Sequence, residues 1–390
     1  MKILQVIPYF YPAKVFGGPV EVVHSIGKEL AKKGHEVVVF TSDARDRENR
    51  IGVETAEIDG MTVRYHRNLS MFLVKQFNLF ILPEFWRSLG SSLTSFDVIH
   101  LHEYTTHQNV VVRKLAKKYG VPYILQVHGS LPKISRRYRK WMYDVLFGNK
   151  LLNDASKVVA LSQTEAKQYR DMGVPEEKIV IIPNGIALSE YTNLPPKGSF
   201  KKKFSISNEE KLLLYLGRIN KVKGIDLLAR AFAALVDKMD CVRLAIVGPD
   251  DGYLAELKNL INTLEIEDRV VIAGPLYGRE KLSAYVDSDV YVLPSRYEAF
   301  SITVLEAMAC GIPIILSEKC NISESVRNKT GLIVNPSPTA LEKALLKILT
   351  DEQLQLEFRS NCQQTIKRFD VVDITSKLEE TYKKLALSHY

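Results

Sequence analysis

Short apolar runs alternate with longer amphipathic stretches along almost the whole chain, and this alternation limits the fold more than any other feature of the sequence. The runs are continuous rather than interrupted by polar residues, as expected for parallel strands covered on both faces. In the first half they are residues 2–8, 36–41, 97–102, 122–127, 156–161 and 178–183. In the second half they are residues 211–217, 242–248, 268–274, 289–294 and 312–317. The sequence therefore predicts two doubly wound α/β domains that face each other across a cleft.

A segment rich in proline and lysine separates the two series of strands. It reads YTNLPPKGSFKKKFSI at residues 191–206, a composition typical of a linker between domains. We therefore expect an N-terminal Rossmann-like domain over residues 1–190 and a C-terminal one over residues 191–370. Residues 371–390 contain an amphipathic helix that no strand follows, and we expect it to pack back on the N-terminal domain.

Charge and hydropathy narrow the class of protein. The chain of 390 residues has 53 Lys and Arg against 45 Asp and Glu, and this net charge of +8 favours an anionic partner. That partner could be a nucleic acid, a phosphorylated small molecule or an acidic membrane surface, but no signature of a nucleic-acid-binding fold accompanies the charge. No apolar run reaches the roughly 18–20 residues that a membrane span needs. The N-terminal MKILQVIPYF is too short and too β-like for a signal peptide, so we expect a cytoplasmic protein.

The cysteines agree with a reducing compartment. None of them has the spacing of a metal site or a redox motif, and we interpret all of them as buried free thiols. They are Cys241, Cys310, Cys320 and Cys362.

The two best-known phosphate-binding motifs of α/β proteins are absent. Neither first βα turn contains G-x-G-x-x-G, and G-x-x-x-x-G-K-[ST] does not occur. A bound nucleotide must therefore be held in another way. One candidate is the pair Gly17 and Gly18, just before a helix that begins near Pro19, because paired glycines allow close approach and a helix N-terminus favours negative charge. The alternative is a tight loop with proline at the first helical position.

Two basic residues follow the first strand of the second domain. Arg218 and Lys223 lie in YLGRINKVKG, and Gly224 opens the next helix. Ligands of open α/β sheets bind at this edge, and a guanidinium with an ammonium suits a diphosphate. The alternative is two solvated charges in a surface loop.

The stretch EAFSITVLEAMACG places Glu298 and Glu306 among apolar and small residues, where each carboxylate needs a partner or costs several kcal/mol. We expect a helix from about Ser301 to Gly311, with Glu306 inside it. Each glutamate also has a structural explanation. Glu306 could complete a capping box with Thr303, and Glu298 could be an acidic residue favoured by the dipole at the start of the helix.

Backbone N–H groups at the start of the same helix form a second possible anion site. These groups belong to Phe300, Ser301 and Ile302, and a helix N-terminus leaves its first N–H groups without intrahelical partners.

Taken together, these pieces resemble the signature of the retaining glycosyltransferases of family 4, the group 1 type, which have the GT-B fold. The two glutamates are separated by seven residues and followed by AMACG. Other matching pieces occur in the order of that family and cover almost the whole chain. They are GG (17–18), VHG (127–129), PNGI (183–186), GR with KG (217–224) and VLPS (292–295).

The resemblance implies a role for each matching residue. Glu306 would bind the ribose hydroxyls of a nucleotide-sugar donor, and Glu298 would hold the transferred sugar, so that the ligand itself would partner both carboxylates. Arg218 and Lys223 would neutralise the diphosphate leaving group, and His128 would contact the donor sugar. The remaining donor-binding residues, largely through backbone groups, would be Gly17, Gly18, Gly217, Phe300, Ser301 and Ile302. Members of the family often have glycine where Ala299 and Ser301 stand here, which predicts a slightly altered backbone fit around the donor.

The activity implied is a metal-independent, retaining transfer of a hexose-type sugar, with a nucleotide-diphosphate sugar as co-substrate and no further cofactor. The motif DSD at residues 287–289 matches the D-x-D of metal-dependent GT-A enzymes. It lies between a predicted helix and the start of a strand, away from the edge that binds ligands, and we interpret it as structural.

Two segments bear on the acceptor. Residues 71–89 are rich in aromatic and aliphatic side chains, and residues 133–147 place four basic residues beside Trp141. The basic residues are Arg136, Arg137, Arg139 and Lys140. This mixture suits an anionic membrane surface and a lipid-linked acceptor, as in polysaccharide or glycolipid biosynthesis, with the protein peripheral on the cytoplasmic face. The alternative is an ordinary amphipathic helix with a solvated charged face.

Two other functions remain open on the same scaffold. A nucleotide-sugar epimerase or hydrolase would turn over the donor without an acceptor, and a non-catalytic assembly protein would bind the nucleotide sugar only. The sequence leaves open the base, the sugar, the acceptor, the linkage and the oligomeric state.

Overall fold

The computed structural model describes residues 1–131 and 141–387, which divide into two compact units. The first unit consists of residues 1–185 and the C-terminal segment from Val371, and the second of Ile186–Asp370. The first boundary lies five residues before the predicted one, because the backbone N–H of Ile186 donates to the carbonyl of Phe369 at 2.9 Å. Ile186 therefore pairs within the second unit.

The first unit is built on a mixed sheet in the order β3-β4-β2-β1-β5-β6-β7-β8. Its strands are β1 (Lys2–Val6), β2 (Glu36–Ser42), β3 (Thr55–Ile58), β4 (Met61–His66), β5 (Val98–His102), β6 (Tyr123–Gln126), β7 (Lys157–Ala160) and β8 (Ile179–Ile181). All neighbours are parallel except β3 and β4, which form an antiparallel hairpin at the edge. The sequence analysis missed this hairpin.

Helices of the first unit follow the predicted alternation. They are α1 (Gly18–Lys32), α2 (Met71–Phe77), α3 (Phe85–Leu89), α4 (His107–Tyr119), α5 (Asn149–Asp154) and α6 (Gln163–Asp171). The predicted stop of α1 is confirmed, since Gly34 adopts a left-handed φ of 83° directly after it. The C-terminal helix, Val371–Leu387, is part of this unit and packs on α1, where Lys33 and His35 contact Glu379 at 2.9 and 3.1 Å.

The second unit has an all-parallel sheet in the order β11-β10-β9-β12-β13-β14. Its strands are β9 (Lys211–Leu216), β10 (Val242–Val247), β11 (Val270–Gly274), β12 (Val290–Leu293), β13 (Ile314–Ser317) and β14 (Gly331–Val334). The edge strand β14 was not predicted. Side chains of the central strands are fully buried, for example Leu213, Ala245 and Ile315, which explains why the apolar runs are continuous.

The helices of the second unit cover its sheet. They are α7 (Ser199–Lys203), α8 (Ile225–Val236), α9 (Leu254–Thr263), α10 (Gly278–Val286), α11 (Ile302–Ala309), α12 (Ser323–Val326), α13 (Pro338–Thr350) and α14 (Glu352–Ile366), and the C-terminal helix of the first unit is α15. Every strand that the sequence predicts is present, and the prediction of two doubly wound α/β domains is confirmed.

In each sheet the order of strands reverses at one point. The reversal lies between β1 and β5 in the first unit and between β9 and β12 in the second. Loops that leave neighbouring strands in opposite directions open a crevice at the carboxyl edge, which is where ligands of such sheets bind. The topology therefore points to the loops after β1, β5, β9 and β12 before any side chain is considered.

Candidate active site

The loops after β9 and β12 carry the predicted residues of the second unit. Lys223 follows β9, Glu298 follows β12, and their side chains form an ion pair in which both are largely buried. The backbone of Glu298 is fixed as well, because its N–H donates to Lys319 and its carbonyl accepts from Asn321. Glu298 thus has a protein partner, and it is not in the first turn of a helix. The helix-start explanation was therefore wrong, and the expectation that the ligand would partner this carboxylate did not foresee Lys223.

Glu306 lies inside α11, as predicted, and its side chain is 8% exposed. It accepts hydrogen bonds from Lys281 Nζ at 2.7 Å and from the hydroxyl of Tyr285 at 2.8 Å. Burial, followed by the negative charge of Glu306, raises the pKa of Tyr285, so its hydroxyl remains a donor. Glu306 therefore also has partners within the protein, which the sequence analysis did not foresee.

The capping box suggested for Glu306 was wrong. The N-cap of α11 is Ser301, whose side chain accepts from the N–H of Val304. Thr303 is already the second residue of the helix, so it cannot be the cap. The helix ends at Ala309, and Gly311 follows with a φ of 68°, which confirms the predicted stop. Phe300 is buried, and its ring lies 6.0 Å from that of Phe369.

Arg218 follows β9 by two residues and is half exposed. Its guanidinium donates to Asp251 Oδ2 at 2.8 Å, and Asn220 donates to the same oxygen at 3.1 Å. Asp251 therefore orients Arg218 at the carboxyl edge of the sheet. Gly217, which precedes it, continues the ladder through an N–H bond of 2.9 Å to Val247.

Gly224 shows why glycine is required in the KG piece. It has a left-handed φ of 70°, and a Cβ atom at this position would lie 2.1 Å from the carbonyl oxygen of Pro294. The loop after β9 thus packs directly against the end of β12, which is what brings Lys223 to Glu298.

The predicted residues of the first unit lie on its loops after β1 and β6. Gly17 has a φ of 98°, Gly18 is the first residue of α1, and Pro19 follows at the start of the helix, as the sequence indicated. At the strand reversal, the hydroxyl of Tyr9 donates to Glu103 Oε1 at 3.0 Å beside a small pocket that both residues line.

His128 lies two residues after the end of β6 and adopts a φ of 50°, which is unusual for a residue with a side chain. Its Nε2 lies 3.0 Å from Nδ1 of His102. Its Nδ1 is buried and has no hydrogen-bond partner among residues 1–131 and 141–387. Burial lowers the pKa of His128 to about 3, so the ring is neutral near pH 7.

Both aspartates of the DSD motif bind backbone groups. Asp287 accepts from the N–H groups of Gly198, Phe200 and Lys201 at 2.5 to 2.9 Å, and Asp289 accepts from Leu212 at 2.8 Å. These contacts fix the start of the second unit to the end of α10, which agrees with the structural interpretation. Within the described part of the chain, no group of three or more His, Cys, Asp or Glu is arranged to hold a metal ion.

Two family models match the chain, one described as Glycosyltransferase Family 4 over residues 16–190 and one as Glycosyl transferases group 1 over residues 196–368. The chain belongs to the group 1 glycosyltransferases of family 4.

Relatives of this glycosyltransferase match it over nearly its full length. An uncharacterized glycosyltransferase of Methanocaldococcus jannaschii is 27% identical, with 98% of each chain covered. The N-acetyl-alpha-D-glucosaminyl L-malate synthase of Bacillus anthracis is 26% identical over 95% of this chain and 94% of the relative. Among solved structures, Anabaena HepE in complex with UDP-glucose superposes with a TM-score of 0.79 at 21% identity, covering 98% of this chain and 100% of that one. This likeness establishes the GT-B fold.

The sequence analysis missed several partners of the glycosyltransferase's candidate site. Lys281 and Tyr285 bind Glu306, and Asp251 binds Arg218. The sequence carried a weak sign that Lys281 and Tyr285 act together, because residues four apart on a helix share one face. Asp251 follows β10 in a loop, and no spacing in the sequence connects it to Arg218.

The segments considered for a membrane surface are partly described. Residues 71–89 form α2 and α3 with exposed aromatic side chains at Phe72, Phe77 and Trp86. In residues 141–147 the exposed apolar side chains are Trp141, Met142, Val145, Leu146 and Phe147. The basic residues Arg136, Arg137, Arg139 and Lys140 lie outside the described residues. None of the described helices is both long and apolar enough to cross a bilayer.

Proposed function

We propose that this glycosyltransferase moves a hexose-type sugar from a nucleotide-diphosphate sugar to an acceptor, with retention of configuration and without a metal ion. The observation that carries the proposal is the pair of lysine-bound carboxylates at the strand reversal of the second unit, Glu298 before α11 and Glu306 within it. The structural similarity to HepE, whose complex contains UDP-glucose, supports this class of donor.

The ion pairs are compatible with ligand binding because each group retains hydrogen-bonding capacity. An ammonium has three donors, so Lys223 can bind Glu298 and still donate to diphosphate oxygens. A carboxylate has about four acceptor positions, so Glu306 can keep Lys281 and accept from ribose hydroxyls. We assign the ribose to Glu306, the transferred sugar to Glu298 and His128, and the diphosphate to Arg218 and Lys223.

Backbone groups complete the proposed donor site. The N–H groups of Ser301 and Ile302 begin α11, and those of Gly18 begin α1. First-turn N–H groups have no intrahelical acceptor and favour an anion. Gly17, Gly217 and Phe300 shape the backbone around these groups.

In the proposed reaction, the bond between the anomeric carbon and the β-phosphate oxygen breaks, and a bond from an acceptor hydroxyl oxygen forms on the same face. The hydroxyl proton passes to the departing phosphate, so no separate general base is needed. Negative charge grows on the phosphate as the bond breaks, and Arg218 and Lys223 stabilise it where preorganised charge has most effect.

Metal independence has a direct test. If two cations and a helix N-terminus provide the electrostatic stabilisation, excess EDTA leaves the rate unchanged. Loss of activity in EDTA with rescue by Mn²⁺ would refute the metal-free mechanism.

For the acceptor we propose a lipid-linked sugar or glycolipid intermediate at an anionic membrane surface on the cytoplasmic side. The exposed aromatic residues Phe72, Trp86 and Trp141 support this, because such side chains favour the membrane interface. Flotation with vesicles containing anionic lipid at low salt should carry the protein upward, and the variant Phe72→Ser/Trp86→Ser should float less. Equal recovery with neutral vesicles, or turnover with a small hydroxy acid alone, would count against a lipid acceptor.

The donor site is best tested by thermal unfolding with UDP, GDP, ADP and their common sugar conjugates. A ligand at about 100 times its dissociation constant adds about 2.7 kcal/mol, which raises Tm by about 5–10 °C in a unit of this size. The shift should disappear in Glu306→Ala. The matched control is Glu342→Ala, because Glu342 is also a largely buried carboxylate of the second unit, bound to Lys238 at 2.6 Å.

Three outcomes discriminate the functions. A shift that one base produces and Glu306→Ala alone abolishes supports the donor site. Loss of the donor in solution without any acceptor product would instead indicate an epimerase or hydrolase. Binding without turnover of any acceptor would indicate an assembly protein.

A further inference from the structure

A chain of hydrogen-bonded side chains runs through the interior of the first unit and ends at His128. His128 Nε2 lies 3.0 Å from His102 Nδ1, and His102 Nε2 lies 2.6 Å from Gln5 Oε1. The Gln5 amide nitrogen lies 3.4 Å from the hydroxyl of Tyr382, which lies 2.7 Å from His100 Nδ1. All of these residues except His128 are fully buried, so water does not compete for their hydrogen bonds.

The amide of Gln5 gives this chain a direction. Its oxygen faces His102 and can only accept, so His102 carries its proton on Nε2 and has a lone pair on Nδ1. His128 Nε2 must then donate to that lone pair. A neutral imidazole carries one proton, so the Nδ1 of His128 is a bare acceptor.

We propose that Gln5 and His102 are positioning residues that hold the proton of His128 on Nε2, so that Nδ1 accepts a hydrogen bond from a hydroxyl of the transferred sugar. The inference deepens the proposed function and rests on the role given there to His128. A buried acceptor without a protein partner, on a residue held at a left-handed φ of 50°, is a costly arrangement that a ligand hydroxyl would satisfy. The site therefore selects a sugar that presents a donor to this nitrogen, and it disfavours a fluorine or carboxylate there.

The tautomer can be measured on the full-length protein without a ligand. The chain has eight histidines, and long-range ¹H–¹⁵N correlation of ring-labelled protein distinguishes the protonated nitrogen of each from the bare one. The signal of His128 is assigned by its absence in His128→Gln. We expect the tautomer with Nε2–H to exceed the other at His128 by about fivefold, the ratio that one typical net hydrogen bond supports. A proton predominantly on Nδ1 overturns the inference, whatever the activity.

Variants separate positioning from general packing. Gln5→Met keeps the volume but removes the acceptor, so the ratio at His128 should approach equality, and Gln5→Glu should restore it. Tyr123→Phe is the control, because it deletes a different buried hydrogen-bonding group of the same unit, a hydroxyl that donates to Leu151 and not to the chain of His128. An unchanged ratio in folded Gln5→Met overturns the positioning role, and if that variant does not fold, the wild-type ratio decides.

The ligand half of the inference is tested with UDP-glucose and its monofluoro-monodeoxy analogues. A C–F group accepts only weakly and does not donate, so one position should lose about tenfold or more in affinity, and the loss should shrink in Gln5→Met. Equal affinity for the whole series overturns this half. If UDP-glucose, GDP-mannose and ADP-glucose all fail to bind, both the proposed function and the proposed contact between His128 and the sugar are refuted. The tautomer ratio of His128 still decides whether Gln5 is a positioning residue.

Discussion

The ion pair between Lys281 and Glu306 provides the sharpest test of how the glycosyltransferase stabilises its buried carboxylates. Glu306 is 8% exposed and Lys281 is 26% exposed. Removing one partner of a fully buried pair costs about 3–5 kcal/mol, because the remaining charge is left uncompensated. Water reaches part of Lys281, and Tyr285 continues to donate to Glu306, so we expect Lys281→Met to lower the free energy of unfolding of the second unit by about 2–3 kcal/mol.

A double-mutant cycle separates the pair from its surroundings. Glu306→Gln removes the charge but keeps an acceptor for Tyr285, so Lys281→Met on that background should cost under about 1 kcal/mol. The assay is thermal and urea unfolding of the wild type, the two single variants and the double variant. For Lys281→Met alone we expect a fall in Tm of about 5–10 °C. The matched control is Lys238→Met, which removes the more exposed lysine of the Lys238–Glu342 pair and should cost less.

One result would refute this reasoning. If Lys281→Met lowers the free energy of unfolding equally, to within about 0.5 kcal/mol, in the wild type and in Glu306→Gln, the pair has no coupling energy. The charge of Glu306 would then be stabilised by something other than Lys281, and the expectation that a ligand supplies the main partner would regain support.

Three further changes have outcomes that the contacts determine. Burial raises the pKa of Glu165 from 4.5 to about 7, so the folded state holds this proton more tightly than the unfolded state. The free energy of unfolding should therefore fall by about 3 kcal/mol as the pH rises from about 4.5 to about 7. Urea unfolding of Glu165→Gln should not show this fall. Gly224→Ala should destabilise more than Gly252→Ala and weaken donor binding, because both have positive φ but only the first places Cβ against Pro294. Asp287→Ala should lower the free energy of unfolding by about 2–4 kcal/mol, because three N–H groups lose a charged acceptor. Mn²⁺ should not alter the activity of this variant, and activity that depends on Mn²⁺ would contradict the structural interpretation of the DSD motif.

The sequence predicted the buried strands correctly because a continuous apolar run can be recognised without knowledge of the strand's neighbours. A strand covered on both faces is apolar at nearly every position, as in β9 and β10, where Lys211 and Arg243 are the only charged residues. The strands of the missed hairpin, β3 and β4, lack that property. In β4 only alternate residues are buried, and β3 has none that is fully buried, since the hairpin lies at the edge of the sheet. The two strands of this hairpin thus carry a weaker pattern that a search for continuous apolar runs overlooks.

The candidate site was predictable in its residues but not in its contacts. The resemblance to the family singled out Glu298, Glu306 and Lys223, and topology brings the first and last of these to one edge of the sheet. The lysine that binds Glu306 comes from α10. The chain of hydrogen-bonded side chains that ends at His128 includes Gln5, more than one hundred residues earlier. Such pairings depend on the three-dimensional packing of distant segments, which no local spacing encodes.

These pairings change how substitutions at the site should be interpreted. Replacing Glu298 removes a proposed sugar contact and at the same time releases Lys223, a proposed diphosphate contact, so the two losses are not separable in a single variant. A large effect of Glu298→Gln on kcat is therefore evidence for a sugar contact only if the double variant is slower than Lys223→Met alone. If the double variant is no slower than Lys223→Met, Glu298 acts by placing the lysine. If each substitution slows the enzyme by its own factor, both groups act on the donor independently.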